Sequence, residues 1–201
     1  MDNHITLVLG HRGSGKSTWL FRNIESFRPF ILIDPLFDPK YQQLGLYEIE
    51  DLEELGGFFR TGRPERVYIS PNRTAFDLVC GLCLARGGIT MVIDEVDNYA
   101  TTHRIGDYFR QVLKYGRHRG VNLVMVARRA KEINPLLRSQ ATRFIIFPLG
   151  AEDAAELRTH IGDEAARTLG ECRREDARTE YIDFGFSTNK FEKRILEFVK
   201  V

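Results

Sequence analysis

The segment Gly10-His11-Arg12-Gly13-Ser14-Gly15-Lys16-Ser17-Thr18 has the spacing G-x-x-x-x-G-K-[ST] and directly follows the apolar run Ile5 to Leu9. Gly10, Gly13 and Gly15 let backbone N–H groups turn inward and cradle phosphate oxygens where side chains would block them. Lys16 would reach the β and γ phosphates of a nucleoside triphosphate and Ser17 would ligand Mg²⁺. Arg12, Ser14 and Thr18 complete the binding loop. A helix starting there turns its positive dipole end toward the anion. Leu20, Ile24 and Phe27 keep a nearly helical spacing that buries one face, so strand and helix flank the loop as the chemistry requires. An ATP site with Mg²⁺ is expected here, against the alternative of an incidental glycine-rich turn.

A second element supplies acids. Met91-Val92-Ile93-Asp94-Glu95 is an apolar strand ending in two carboxylates, the Walker B pattern. Asp94 would hold Mg²⁺ through water, and Glu95 would polarise the water that attacks the γ-phosphate. Either acid would also serve as a plain cap for a following helix. Charge developing on the γ-phosphoryl group calls for a further cation, and an arginine finger contributes about 10³ to 10⁵ in rate. Tyr115-Gly116-Arg117-His118-Arg119-Gly120 places Arg117 and Arg119 at the leading edge of the strand that starts near Val121. Either is a finger candidate. Lys114 and Arg117 would alternatively complement a helix carboxyl end, an effect of only about 0.3 to 1 kcal/mol.

These residues need a scaffold that brings separated segments together. Short apolar, β-branched runs recur at Ile5 to Leu9, Phe30 to Ile33, Val67 to Ile69, Ile89 to Ile93, Val121 to Val126 and Phe144 to Phe147. They read as buried parallel strands. Helix candidates near 16–27, 74–86, 104–115, 133–140 and 151–160 alternate with them, which predicts an α/β fold: a P-loop NTPase core with a mostly parallel central sheet flanked by helices. Segment 38–66, with Gly45, Gly56, Gly57, Gly62 and Pro64, reads as an irregular insertion. Beyond residue 163 the pattern weakens. Tyr181 to Phe184 suggests a late strand, and Phe191 to Val201 either a helix or an edge strand packing on a neighbouring subunit.

The chain has 201 residues, 43% of them hydrophobic, enough to bury one substantial core. One domain is expected over 1–201, with its core at about 5–147 and a C-terminal extension at about 148–201. No apolar run approaches the roughly 20 residues that span a bilayer, and Met1-Asp2-Asn3-His4 lacks the features of a signal peptide, so a cytoplasmic protein is expected. Cys80, Cys83 and Cys172 are odd in number, which fits a reducing compartment. Cys80-Gly-Leu-Cys83 has redox spacing, but it lies in an apolar helical run and reads as core.

Net charge is only +1, yet it is unevenly spread. Segment 101–143 gathers Arg104, Arg110, Lys114, Arg117, Arg119, Arg128, Arg129, Lys131, Arg138 and Arg143, while segment 34–54 is acidic with Lys40 as its lone cation. The basic third either attracts polyanions, meets acidic surface across a ring interface, or solvates helices.

Four segments resemble the HerA/FtsK superfamily of ring-forming DNA translocases, which includes small viral genome-packaging ATPases and Zot-like phage proteins. They are the phosphate loop, the Ile33-Asp34-Pro35-Leu36-Phe37-Asp38 turn, the Asp94-Glu95 pair, and Gly116 to Arg129, similar to the family's G-R-x-x-G-I-x-L-x-x-A-T-Q-R-P. Asn134 to Ala141 resembles the helix that leads into the last core strand. The chain departs from the pattern at Arg128, where the family usually has a glutamine, and at Ala130, where it has proline. The resemblance implies an ATP-hydrolysing DNA translocase, most like the packaging ATPases, acting as a pentameric or hexameric ring with Arg117 as finger. It implies double-stranded DNA held through its phosphates, a portal or capsid protein as partner, and a place in a host cytoplasm or on a virion; the lack of a long apolar run predicts no integral membrane segment. Two rivals remain open: a Zot-like assembly ATPase acting on protein, and a small-molecule kinase with a lid at Arg173-Arg174.

Overall fold

The computed structural model of the protein describes residues 4–61 and 66–198. Its elements, in chain order, are β1 (Ile5–Leu9), α1 (Lys16–Asn23), β2 (Phe30–Ile33), β3 (Tyr47–Ile49), α2 (Leu52–Thr61), β4 (Arg66–Ile69), α3 (Arg73–Arg86), β5 (Thr90–Ile93), α4 (Asp107–Tyr115), β6 (Asn122–Ala127), α5 (Pro135–Gln140), β7 (Arg143–Ile146), α6 (Ala151–Glu171), β8 (Arg178–Gly185) and β9 (Lys190–Glu197).

The strands form a nine-stranded sheet in the order β3-β4-β2-β5-β6-β1-β7-β8-β9. Pairing from β3 through β7 is parallel, while β8 and β9 join antiparallel. The central strands β1, β2, β5 and β6 are apolar except at Thr6, Thr90 and Asn122, because both sheet faces are covered. Ile5, Leu7 and Leu9 of β1 enter a core built with α3, α4, α5 and α6, whereas Val8 enters a second core with Trp19, Leu20 and Ile24. This alternation follows from the two-residue period of a strand.

Local chemistry sets the helix ends. Asn72 caps α3 by accepting from the N–H groups of Thr74 and Ala75. Gly87 ends it at φ 69°, and a Cβ there would lie 2.6 Å from the Arg119 carbonyl oxygen, so only glycine fits the passage from α3 to β5. Asn134 and Pro135 open α5 in the same economical way.

The six strands and the alternating helices expected from the sequence are all present. Three expectations need correction. Segment 38–66 is far more regular than its glycines suggest: a 3₁₀ turn at Pro39–Leu44, β3 and α2 occupy most of it, with 62–65 outside the described residues. Gly56 and Gly57 sit inside α2, where Leu55 packs into the core and outweighs the cost of about 1 kcal/mol per helical glycine. The helix expected at 151–160 runs on to Glu171 past a kink at Gly162, whose φ of 82° breaks the helical path. The helices expected from 104 and over 16–27 are shorter, with Thr101 and Arg104 forming a bridge and Ile24–Phe27 tightening to 3₁₀. At the carboxyl end the strand alternative holds: β9 pairs with β8 at the sheet edge, residues 199–201 lying outside the description.

Cys80 and Cys83 are wholly buried in α3, and burial raises both thiols, Cys83 to about 12. They are core residues, as expected. Next to them Phe76 stacks on Tyr99 at 3.9 Å and meets Phe109 edge-on at 5.0 Å, tying α3 and α4 to the segment after β5. Phe76→Ala should cost about 3 to 5 kcal/mol in urea unfolding, with a smaller loss for Phe76→Leu.

Candidate functional site

Three neighbouring parallel strands end at one edge of the sheet. Leu9 of β1 is level with Ala127 of β6, and Met125 of β6 with Ile93 of β5. The segments that follow them, starting at Gly10, Arg128 and Asp94, therefore emerge side by side although they are far apart in sequence.

The loop after β1 wraps around Lys16. Gly10, Gly13 and Gly15 all have positive φ, and a Cβ on Gly10 would strike Ser14 Oγ at 2.5 Å and Phe147 Cβ at 2.6 Å. The Lys16 ammonium donates to the carbonyls of Gly10 at 2.7 Å and His11 at 2.8 Å. Burial lowers its pKa to about 8, opposed by the nearby Asp94 carboxylate. Ser14 is buried and Ser17 and Thr18 half-buried at the start of α1, while Arg12 and Gly13 are exposed at the loop tip.

Asp94 is buried at the end of β5 and is engaged from two sides. The Tyr41 hydroxyl donates to its Oδ2 at 2.5 Å, and Lys40 Nζ approaches the same oxygen at 3.2 Å. Lys40 also reaches Ser17 Oγ at 3.5 Å and Asp38 Oδ2 at 2.7 Å. Burial and the negative charge of Asp94 push the Tyr41 phenol well above its ordinary value. Burial works against the charge on Lys40, but Asp94 and Asp38 leave its pKa raised. Asp34, also buried, fixes the turn that carries these groups by accepting from Leu36 N at 3.0 Å, Asp38 N at 2.6 Å and the Tyr68 hydroxyl at 3.2 Å.

Lys40 and Tyr41 were not legible as site residues in the sequence. Their one signal was a lysine alone among acids just after a strand. Lys40 shows that a cation is held between the Ser17 hydroxyl and the Asp94 carboxylate. Two hard oxygen donors suit Mg²⁺, which takes one or two protein ligands and completes its shell with phosphates and water. No group of three or more His, Cys, Asp or Glu side chains able to cage a metal occurs among the described residues.

Glu95 follows in the left-handed region at φ 48°, unusual for a residue with a side chain. Its N–H donates to Asp94 Oδ1 at 3.0 Å, and its carboxylate forms an ion pair with Arg128 and accepts from Asn98 Nδ2 at 3.3 Å. Neither acid simply caps a helix with its side chain.

Arg117 and Arg119 lie at the opposite end of β6, a strand length of roughly 20 Å from the loop. Neither reaches the phosphate loop of its own chain. Arg119 donates to the carbonyls of Leu84 at 3.2 Å and Ala85 at 2.6 Å, closing the end of α3, whereas exposed Arg117 donates from Nε to the His118 ring nitrogen at 3.3 Å. Much of the basic third is paired internally. Arg129 binds Glu132, Glu152 and Asp153, Lys131 binds Glu152, Arg138 binds Glu156, and Arg143 forms a two-bond pair with Asp183. Arg110, Lys114 and Arg117, spaced as one helical face, are exposed and have no ion pair among the described residues. Arg173 closes the carboxyl end of α6, while Arg174 comes beside the phosphate loop.

No protein-family model matches the chain, and no curated protein matches it in sequence. Solved structures do share its fold. The genome-packaging NTPase B204 of Sulfolobus turreted icosahedral virus 2, solved with ATPγS, superposes with a TM-score of 0.80 at 16% identity, over 96% of this chain and 98% of that one. VirB4 of Thermoanaerobacter pseudethanolicus gives 0.58 at 10% identity, over 100% and 90%. The N-terminal domain of zonular occludens toxin from Neisseria meningitidis gives 0.55 at 13% identity, over 100% and 96%. The fold is therefore a P-loop NTPase fold, with a mostly parallel sheet flanked by helices. No helix among the described residues is long and apolar enough to cross a membrane.

An anion bound against Lys16 stabilises its charged form and draws its pKa up from about 8. At pH 8.5, binding of a nucleoside triphosphate should take up a proton, seen as a calorimetric enthalpy that varies with the ionisation enthalpy of the buffer. The Lys16→Met protein should show no such uptake.

Proposed function

We propose that this chain is an ATP-hydrolysing DNA translocase of the viral genome-packaging kind, working as a homo-oligomeric ring. The observation that carries the reading is the meeting of Lys16, Ser17, Asp94 and Glu95 at one edge of a fold shared with a packaging NTPase solved with ATPγS.

Lys16 would leave the Gly10 and His11 carbonyls for the β and γ phosphates. Ser17 and Asp94 would hold Mg²⁺ once Lys40 has swung aside toward Asp38. When bound, that ion neutralises charge building on the phosphates. Glu95 orients the attacking water, a role its ion pair with Arg128 suspends; release of Arg128 toward the γ-phosphate would free the carboxylate. Arg117, out of reach of its own loop and without an ion pair among the described residues, suits the site of a neighbouring subunit better than Arg119, which is spent on the carbonyls of α3. Arg110 and Lys114 offer the clearest phosphate contacts for double-stranded DNA, and a portal or capsid protein would anchor the ring.

A second reading is favoured by the shared fold of the zonular occludens toxin domain: an assembly ATPase acting on protein. Steady-state ATPase measured with and without double-stranded DNA over a salt series separates the two. Stimulation that fades as salt rises supports the translocase, and hydrolysis indifferent to DNA supports the second reading. Glu95→Gln should lower turnover by about 10² to 10⁴ while ATP still binds. Mixing Arg117→Ala with Lys16→Ala subunits, each inactive alone, should restore activity if sites are shared, and leave none if each subunit is self-contained.

A further inference from the structure

The C-terminal hairpin does more than widen the sheet. A cavity of about 310 Å³ opens beside the phosphate loop, walled on one side by Gly13, Gly15 and Thr18 and on the other by Arg174, Asp176 and Phe198. The Phe198 ring lies against the loop itself, since a Cβ on Gly15 would stand 3.2 Å from its Cε1. The Arg174 guanidinium sits over the same ring, 5.6 Å from its centroid. The segment is held in place by its own backbone: Phe198 N donates to Ala177 O at 2.6 Å, Glu175 N to Arg178 O at 2.8 Å and Glu180 N to Arg173 O at 2.9 Å.

Lys16 and Ser17 also line this cavity, so it runs on from the part of the loop where phosphate chemistry would occur. Asp94, Glu95 and Lys40 are not part of its wall. A triphosphate lying along the loop with its γ end toward Asp94 must send its other end toward Thr18 and this opening. The groups waiting there are a flat aromatic ring and a flat cation, which suit a nucleobase, since every base presents a π face to an aromatic side chain and to a guanidinium.

We infer that Phe198, backed by Arg174, is the stacking wall for the base of the nucleotide whose phosphates the Gly10–Thr18 loop holds, so that the C-terminal hairpin supplies the base subsite. The inference rests on the triphosphate reading of the loop. It assigns residues 174–198 a role in binding the nucleotide rather than in gripping DNA.

The test compares two ligands that share phosphates but not a base, ATP and inorganic tripolyphosphate, each titrated with Mg²⁺ into the wild-type chain, Phe198→Ala, Phe198→Leu and Phe198→Trp. Losing the stack should weaken ATP at least about fivefold in the Ala and Leu proteins and leave tripolyphosphate unchanged. The Trp protein should retain ATP affinity. Equal weakening of both ligands would mean that Phe198 only props the loop, and no weakening of either would mean that the base lies elsewhere; both results overturn the subsite and leave the loop reading intact. A wild-type chain that binds neither ligand, while folded by circular dichroism, overturns the loop reading and the subsite with it. Phe198→Leu keeps the apolar packing against Gly15, which covers the case in which the alanine protein does not fold.

Discussion

Parallel pairing of β1, β6 and β5 is the constraint on which the rest of the molecule depends. Parallel strands in fixed register end at the same edge, so the phosphate loop, the Asp94-Glu95 pair and Arg128 are delivered together by backbone hydrogen bonds. The same geometry sends the leading ends of those strands, with Arg117 and Arg119, to the far edge. A division between an edge that carries the glycine loop and the acids and a far edge that carries Arg117 and Arg119 follows from strand direction alone.

At the phosphate edge the dominant issue is buried charge. Asp94 is nearly inaccessible, and an isolated carboxylate there would be costly. Tyr41 and Lys40 remove that cost, and Asp34 holds the turn that carries them. Lys16 is treated in the same way by the Gly10 and His11 carbonyls. Each charge thus has a partner from its own chain. Glu95 and Arg128 repeat the pattern at the surface.

The acids of α6 explain why the basic third is less available to polyanions than its composition suggests. Glu152, Asp153 and Glu156 face Arg129, Lys131 and Arg138, so these cations fasten α6 across the end of β6 and α5. Among the described residues, what remains open is Arg104 and the stripe of Arg110, Lys114 and Arg117 that runs from α4 into the turn after it. The β8–β9 hairpin, anchored by the Arg143–Asp183 pair, brings Arg174 and Phe198 to the loop from the far end of the chain.

The strands, the phosphate loop, the acid pair and the α/β class are legible in the chain because those features are local: apolar runs, glycine spacing and a lysine-hydroxyl step are written in consecutive residues. Lys16, Ser17, Asp94 and Glu95 are legible as candidates for the same reason. Folding brings Lys40 and Tyr41 to Asp94, Arg128 to Glu95 and Phe198 to Gly15. Those pairs are separated by dozens of residues or more, and nothing in the spacing of a lysine, a tyrosine or a phenylalanine says which strand end it will meet. The regularity of segment 38–66 escaped the sequence because packing of Leu55 and Tyr41 overrides glycine's weak local preference. Long-range contact, set by sheet order and register, is where local pattern stops carrying information.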